Sequence, residues 1–126
     1  PVNQVDHMLY ASGQGSFFGE HRIEGKVGRD VTLEDARLGA RYCMLNTLAV
    51  LEEYLGDLNR IQRVVKLLAF VSSDDGFYQQ PAVVNGASQL LLDLWGEQGR
   101  HARSAIAVNT LPSNLSVEIE AIFTLK

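Results

Sequence analysis

Ile61-Gln62-Arg63-Val64-Val65-Lys66-Leu67-Leu68-Ala69-Phe70-Val71 is the stretch on which the fold turns. From Val64 to Val71 only Lys66 is polar. The run is short for a helix and rich in β-branched residues, so it reads as a strand. It lacks the apolar–polar alternation of a half-exposed strand, and its apolar side chains fall on both faces. The expectation is a strand buried on both sides, with Lys66 as the exception.

Upstream, Thr32-Leu33-Glu34-Asp35 is an N-capping pattern with an acidic fourth residue. Ala36, Ala40, Cys43, Met44, Thr47, Leu48, Leu51 and Leu55 then recur at spacings of three and four, the signature of one apolar helix face. Gly56 is a natural stop, so a helix is predicted over 33–55. Met8 to Ser12 reads as a strand ended by a Gly13-Gln14-Gly15 turn. Residues 13–31 carry five glycines and read as loop or a ragged hairpin.

Downstream, Ser72 to Gly76 is a polar loop. Pro81 suits a first helical turn. Val84, Ala87, Ser88, Leu91, Leu94 and Trp95 continue at helical spacing until Gly96. Arg103 to Val108 is the next strand, Leu111 to Asn114 a turn, and Val117 to Phe123 a last strand that extends through Leu125. The whole chain, 1–126, reads as one domain: an α+β fold, two layers, with a mixed sheet and two helices on one face. Two helices cover one face only. The double-sided apolar run therefore implies an oligomer whose sheets pack together, or else a long loop folded back over the sheet.

The chain has 126 residues, 46% hydrophobic and 21% charged, with a net charge of −4. That is a globular composition without the basic field of a nucleic-acid or anionic-membrane binder. The single cysteine, Cys43, permits no intrachain disulfide and fits a reducing compartment. No apolar run approaches the ~18 residues of a membrane span, and no signal-peptide pattern is visible, so a cytoplasmic protein is expected. His7, His21 and His101 stand at no metal-ligand spacing, and no metal site is expected. Gly13-Gln14-Gly15 lacks the Lys-Ser/Thr of a phosphate loop, and no nucleophile elbow surrounds Ser12.

Arg103, Glu118 and Glu120 form the constellation with chemistry in it. Alternation puts both glutamates on one strand face, across the Pro112 turn from Arg103. A cross-strand ion pair is one reading. The other has a glutamate orienting Arg103, whose fork then takes a substrate carboxylate two-handed. Spacing does not choose between them.

Taken together, Ser12-Gly13-Gln14, Leu55-Gly56-Asp57-Leu58, Val65-Lys66, Phe70-Val71, Ala102-Arg103-Ser104-Ala105, Leu111-Pro112 and Val117-Glu118-Ile119-Glu120-Ala121-Ile122 resemble the RidA/YjgF reactive-intermediate deaminase family, also labelled L-PSP endoribonuclease. The resemblance runs from about Met8 to Phe123. Val83 to Ser88 and Gly96 to His101 resemble a bacterial subgroup of it.

The resemblance implies a chorismate-mutase-like fold, a homotrimer and clefts between subunits that hydrolyse 2-imino acids to 2-oxo acids and ammonia without a cofactor. It implies that Arg103 binds the substrate carboxylate and Glu118 positions the attacking water. Ser12, Gly13, Asn85 and Ala105 would line the pocket. Two departures stand out. Nothing here matches the family's upstream tyrosine, and Ala105 stands where a cysteine is common. A non-catalytic trimer that captures a small carboxylate is the competing expectation. Ribonuclease activity fits poorly with the net charge and with histidines that offer no acid–base pair.

Overall fold

A computed structural model describes every residue from 1 to 126. The elements run β1 (Val2–Val5), β2 (Met8–Gly15), β3 (Phe17–Phe18), β4 (His21–Arg22), α1 (Leu33–Leu55), β5 (Ile61–Ser72), α2 (Gln80–Trp95), β6 (Ala102–Val108) and β7 (Val117–Leu125). The main sheet has the order β1-β2-β7-β5-β6, and β3 with β4 makes a small separate hairpin within the glycine-rich segment. All main-sheet pairs are antiparallel except β5 with β6, which the α2 crossover makes parallel. The sheet is therefore mixed, with both helices on one face.

α1 is the element in which cap, stripe and stop agree. The Thr32 hydroxyl accepts from the Asp35 amide at 3.1 Å. Gly56 closes the helix in the left-handed conformation, φ 83°, its N–H donating to the Glu52 carbonyl. All eight residues of the predicted stripe are buried. α2 differs from expectation in its rotation: Val83, Val84, Ala87, Leu90 and Leu91 face the core, while Ser88 and Leu94 do not. Gly86 sets this angle, because a Cβ there would strike the Arg37 backbone carbonyl on α1.

The core lies between the helices and the near face of the sheet. Leu67, Ala69 and Val71 of β5 meet Val117, Ile119, Ala121 and Phe123 of β7 there. The far face carries Leu68, Phe70 and Ile122, half-buried, with Ile106 and Tyr10 exposed. So β5 is fully buried on one side only. No loop folds back to cover the other side, and within one chain that apolar face stays open.

Two sequence expectations are corrected and one unforeseen element is added. Gly13-Gln14-Gly15 is not a turn: β2 continues through it with a β-bulge. Residues before Met8 form an extra edge strand, β1, paired to β2. β6 and β7 are not neighbours. β5 lies between them, so the hairpin across Pro112 that would join Arg103 to the glutamates does not exist.

Candidate functional site

Arg103 sits on β6, an edge strand, in register with Leu67 and on the helix-facing side of the sheet. α2 holds it at two points. Nη1 donates to Ser88 Oγ at 3.1 Å and Nη2 to the Pro81 carbonyl at 3.2 Å. The Pro81 carbonyl lies in the first turn of a helix that the Pro81 ring helps to start, and Ser88 lies two turns further along it. A guanidinium has five N–H donors, so three remain free. Partial burial pulls its pKa down, yet it stays cationic. No carboxylate neutralises it, because none of the molecule's ion pairs involves Arg103. Asn85, Ser88, Leu92, Arg100 and His101 surround it in an open cavity of about 220 Å³. Ala105, two residues along the same face, packs against the core.

Glu118 is elsewhere. It alternates with buried Val117 and Ile119 and pairs with Phe70, which puts it on the open face. Its carboxylate lies directly over Gly13: a Cβ added there would be 2.5 Å from Glu118 Oε2. Gly13 is thus a close-approach glycine. The bulge explains its position. Between Ala11 and Gln14, β2 has one residue more than β7 opposite, and Ser12 and Gly13 occupy the widened segment across from Glu120. Ser12 is exposed, its amide donating to the Pro1 carbonyl at 2.7 Å.

The candidate site residues therefore fall into two groups within one chain. Arg103, Asn85 and Ala105 lie on the helix side at the sheet edge. Glu118, Gly13 and Ser12 lie on the far side near its centre. Strands at ~4.8 Å spacing put roughly 14 Å of sheet between β6 and β2. Neither the ion pair nor the glutamate-oriented arginine forms within one chain. Ser88 and His101 were not foreseen as site residues. Ser88 looked like one more position on an apolar stripe, and the one available signal was a hydroxyl breaking that stripe beside His101. Cys43 is wholly buried, and burial pushes its thiol pKa well up, so it supplies no thiolate.

The family model described as "YjgF/chorismate_mutase-like, putative endoribonuclease" matches residues 1–124. The chain belongs to the YjgF family. Among curated relatives of this YjgF chain is Protein TCP17 of Trypanosoma cruzi, 43% identical over 104 residues. That match covers 82% of this chain and 65% of the relative, so the chain spans about two thirds of that protein's length. Among solved structures, the protein Atu1372 of unknown function from Agrobacterium tumefaciens is 44% identical, with a TM-score of 0.97 over 100% of this chain and 83% of that one. RidA from the Antarctic bacterium Psychrobacter sp. PAMC 21119 is 26% identical, with a TM-score of 0.66 over 98% of this chain and 85% of its own. The two helices and mixed sheet are those of the YjgF chorismate-mutase-like fold. No helix is long and apolar enough to cross a membrane.

Proposed function

We propose that this chain hydrolyses reactive 2-imino acids to 2-oxo acids and ammonia, in clefts formed between copies of the chain in a homotrimer. The observation that carries the reading is the separation of Arg103 from Glu118 by the sheet. A cationic fork with three free donors lies at one edge, and a carboxylate seated on a glycine lies on an uncovered apolar face. Copies packed by their open faces bury Leu68, Phe70 and Ile122 and can bring one copy's Arg103 edge to another's Glu118. The family membership supports the same assembly and chemistry.

The reaction suits these groups. Arg103 holds the carboxylate of the imino acid two-handed, fixing the adjacent C2. Glu118 accepts a hydrogen bond from one water and aims it at C2, which is strongly electrophilic when the imine nitrogen is protonated. The C2–O bond forms as the C=N π pair moves to nitrogen. One water proton passes to nitrogen. As the tetrahedral intermediate collapses, the C–N bond breaks with its electron pair leaving on ammonia, and the hydroxyl proton passes by way of Glu118 to that ammonia, giving the C2=O product and ammonium. Ser12 and Gly13 leave room at the bulge, Asn85 lies beside the arginine, and Ala105 leaves the wall shallow where cysteine is common in the family. The substrate class is therefore a small 2-imino acid with a free carboxylate. The acidic net charge and three scattered histidines argue against RNA cleavage.

The test generates 2-iminobutanoate or 2-iminopropanoate in place with an amino-acid oxidase and traps the remainder with semicarbazide. Native protein accelerates the loss of trappable imine, Arg103→Ala abolishes the effect, and Glu118→Gln abolishes turnover while keeping 2-oxo acid binding. Native protein that binds 2-oxo acids without accelerating imine loss is a binding module instead.

A further inference from the structure

Beside Arg103 runs a chain of hydrogen bonds with a single direction. The turn Gly96–Gly99 lies tight against α2, and a Cβ on Gly99 would strike the Leu91 carbonyl. The Gly99 carbonyl lies 2.6 Å from His101 Nδ1. A carbonyl only accepts, so Nδ1 carries the proton and Nε2 of the neutral ring is an acceptor. Ser88 Oγ lies 2.8 Å from Nε2 and therefore donates to it. That fixes the hydroxyl hydrogen and leaves an oxygen lone pair for Arg103 Nη1. One of the two anchors of Arg103 thus depends on the state of His101.

We propose that His101, acting through Ser88, is the positioning residue that aims the Arg103 fork at a carboxylate, and that protonation of His101 loosens that aim. The inference rests on the reading of Arg103 as the carboxylate holder. A protonated ring presents Nε2–H to Ser88, so Oγ must accept from both neighbours and turn its own hydrogen aside. A second positive charge then stands one hydroxyl away from the guanidinium. Nothing nearby neutralises it. Arg103 on β6 acts on the ring, Arg100, and Arg63 on β5, line a cavity with it, and α2 offers only Asn85, Ser88 and Leu92. The neighbouring acid, Glu97, is held by Arg100 Nε at 2.5 Å. Half-burial, then the Arg103 charge, lower the His101 pKa against the opposing pull of the Gly99 carbonyl. The ring is neutral at neutral pH and charges only below its ordinary value of about 6.5. An extra cation acting by charge alone would tighten an anion, the opposite sign. Across an open cavity that attraction is screened, whereas misalignment of the fork acts at contact distance.

The experiment measures binding of 2-oxobutanoate, a stable 2-oxo acid, by calorimetry from pH 7.5 to 5, with the KM and kcat of imine loss alongside. Native affinity falls about tenfold on acidification, the worth of one charge-assisted hydrogen bond, and KM follows while kcat holds. His101→Gln keeps an acceptor for Ser88 and binds with no pH dependence over that range. Ser88→Ala, a mild change on a helix, binds about tenfold more weakly at every pH. Native affinity that is flat or strengthens on acidification, or a His101→Gln protein that keeps the pH dependence, overturns the inference. Binding with the expected pH profile but without imine hydrolysis overturns the deaminase reading alone. Loss of neither binding nor pH dependence in Arg103→Ala overturns both.

Discussion

Gly13→Ala puts a methyl group where the Glu118 carboxylate lies. The added carbon would be 2.5 Å from Oε2, 3.0 Å from the carboxyl carbon and 3.1 Å from Cγ. Ordinary contact begins at 3.4 Å, so the carboxylate oxygen must move by about 0.9 Å. The stability cost is small, because Glu118 is a flexible side chain on the open face and rotates away. Under the proposed function the catalytic cost is not small. Misplacing a water-orienting group by about 1 Å costs roughly 100-fold in rate, or about 2.7 kcal/mol of barrier. In the proposed reaction substrate binding rests on Arg103, on the β6 edge of the sheet, and is left alone. The expected result in the semicarbazide-trapping assay is kcat down by about 100-fold, KM within about twofold, and a melting temperature close to native. Unchanged kcat would refute the reasoning, since it would mean that the seat on Gly13 does not set the useful position of Glu118. A fall in KM performance alone would place Glu118 in binding and not in water activation.

Leu68→Asp puts a charge on the half-buried far face of β5 and is expected to turn the proposed trimer into monomers by light scattering, with the far-ultraviolet circular dichroism retained; an intact oligomer would mean that the open face is not the interface. Phe123→Ala empties a wholly buried position in β7 between β2 and β5, which costs about 3–5 kcal/mol and lowers the melting temperature by more than about 10 °C. The lowered pKa of His101 makes the folded chain bind fewer protons there than the unfolded one, so stability is full above about pH 6.5 and declines as pH falls. His101→Gln flattens that acid limb in denaturant titrations at successive pH values.

The first helix was legible because cap, stripe and stop pointed to one answer, and Thr32, the eight stripe positions (seven apolar, with Thr47) and Gly56 all fall where the pattern put them. The strands were legible as segments. Their order was not, because adjacency in sequence suggested a hairpin across Pro112. The composition held a clue: β6 offers the core little beyond Ala105, while β7 offers Val117, Ile119, Ala121, Phe123 and Leu125. The richer strand takes the centre and the poorer one the edge. The bulge at Ser12 and Gly13 escaped notice because glycines in a strand and glycines in a turn look alike until the opposing side chain is known. Arg103 and Glu118 were singled out by residue type and by resemblance. That they face opposite sides of the sheet follows from long-range pairing, which no local pattern encodes.

The placing of Arg103 and Glu118 on opposite faces has a genetic consequence. Under the proposed assembly, each cleft takes its arginine from one copy and its glutamate from another. Two alleles that are each inactive, Arg103→Ala and Glu118→Gln, then complement when co-expressed, because mixed oligomers contain some clefts with both native residues. A heterozygote of two null alleles would show activity that neither homozygote has.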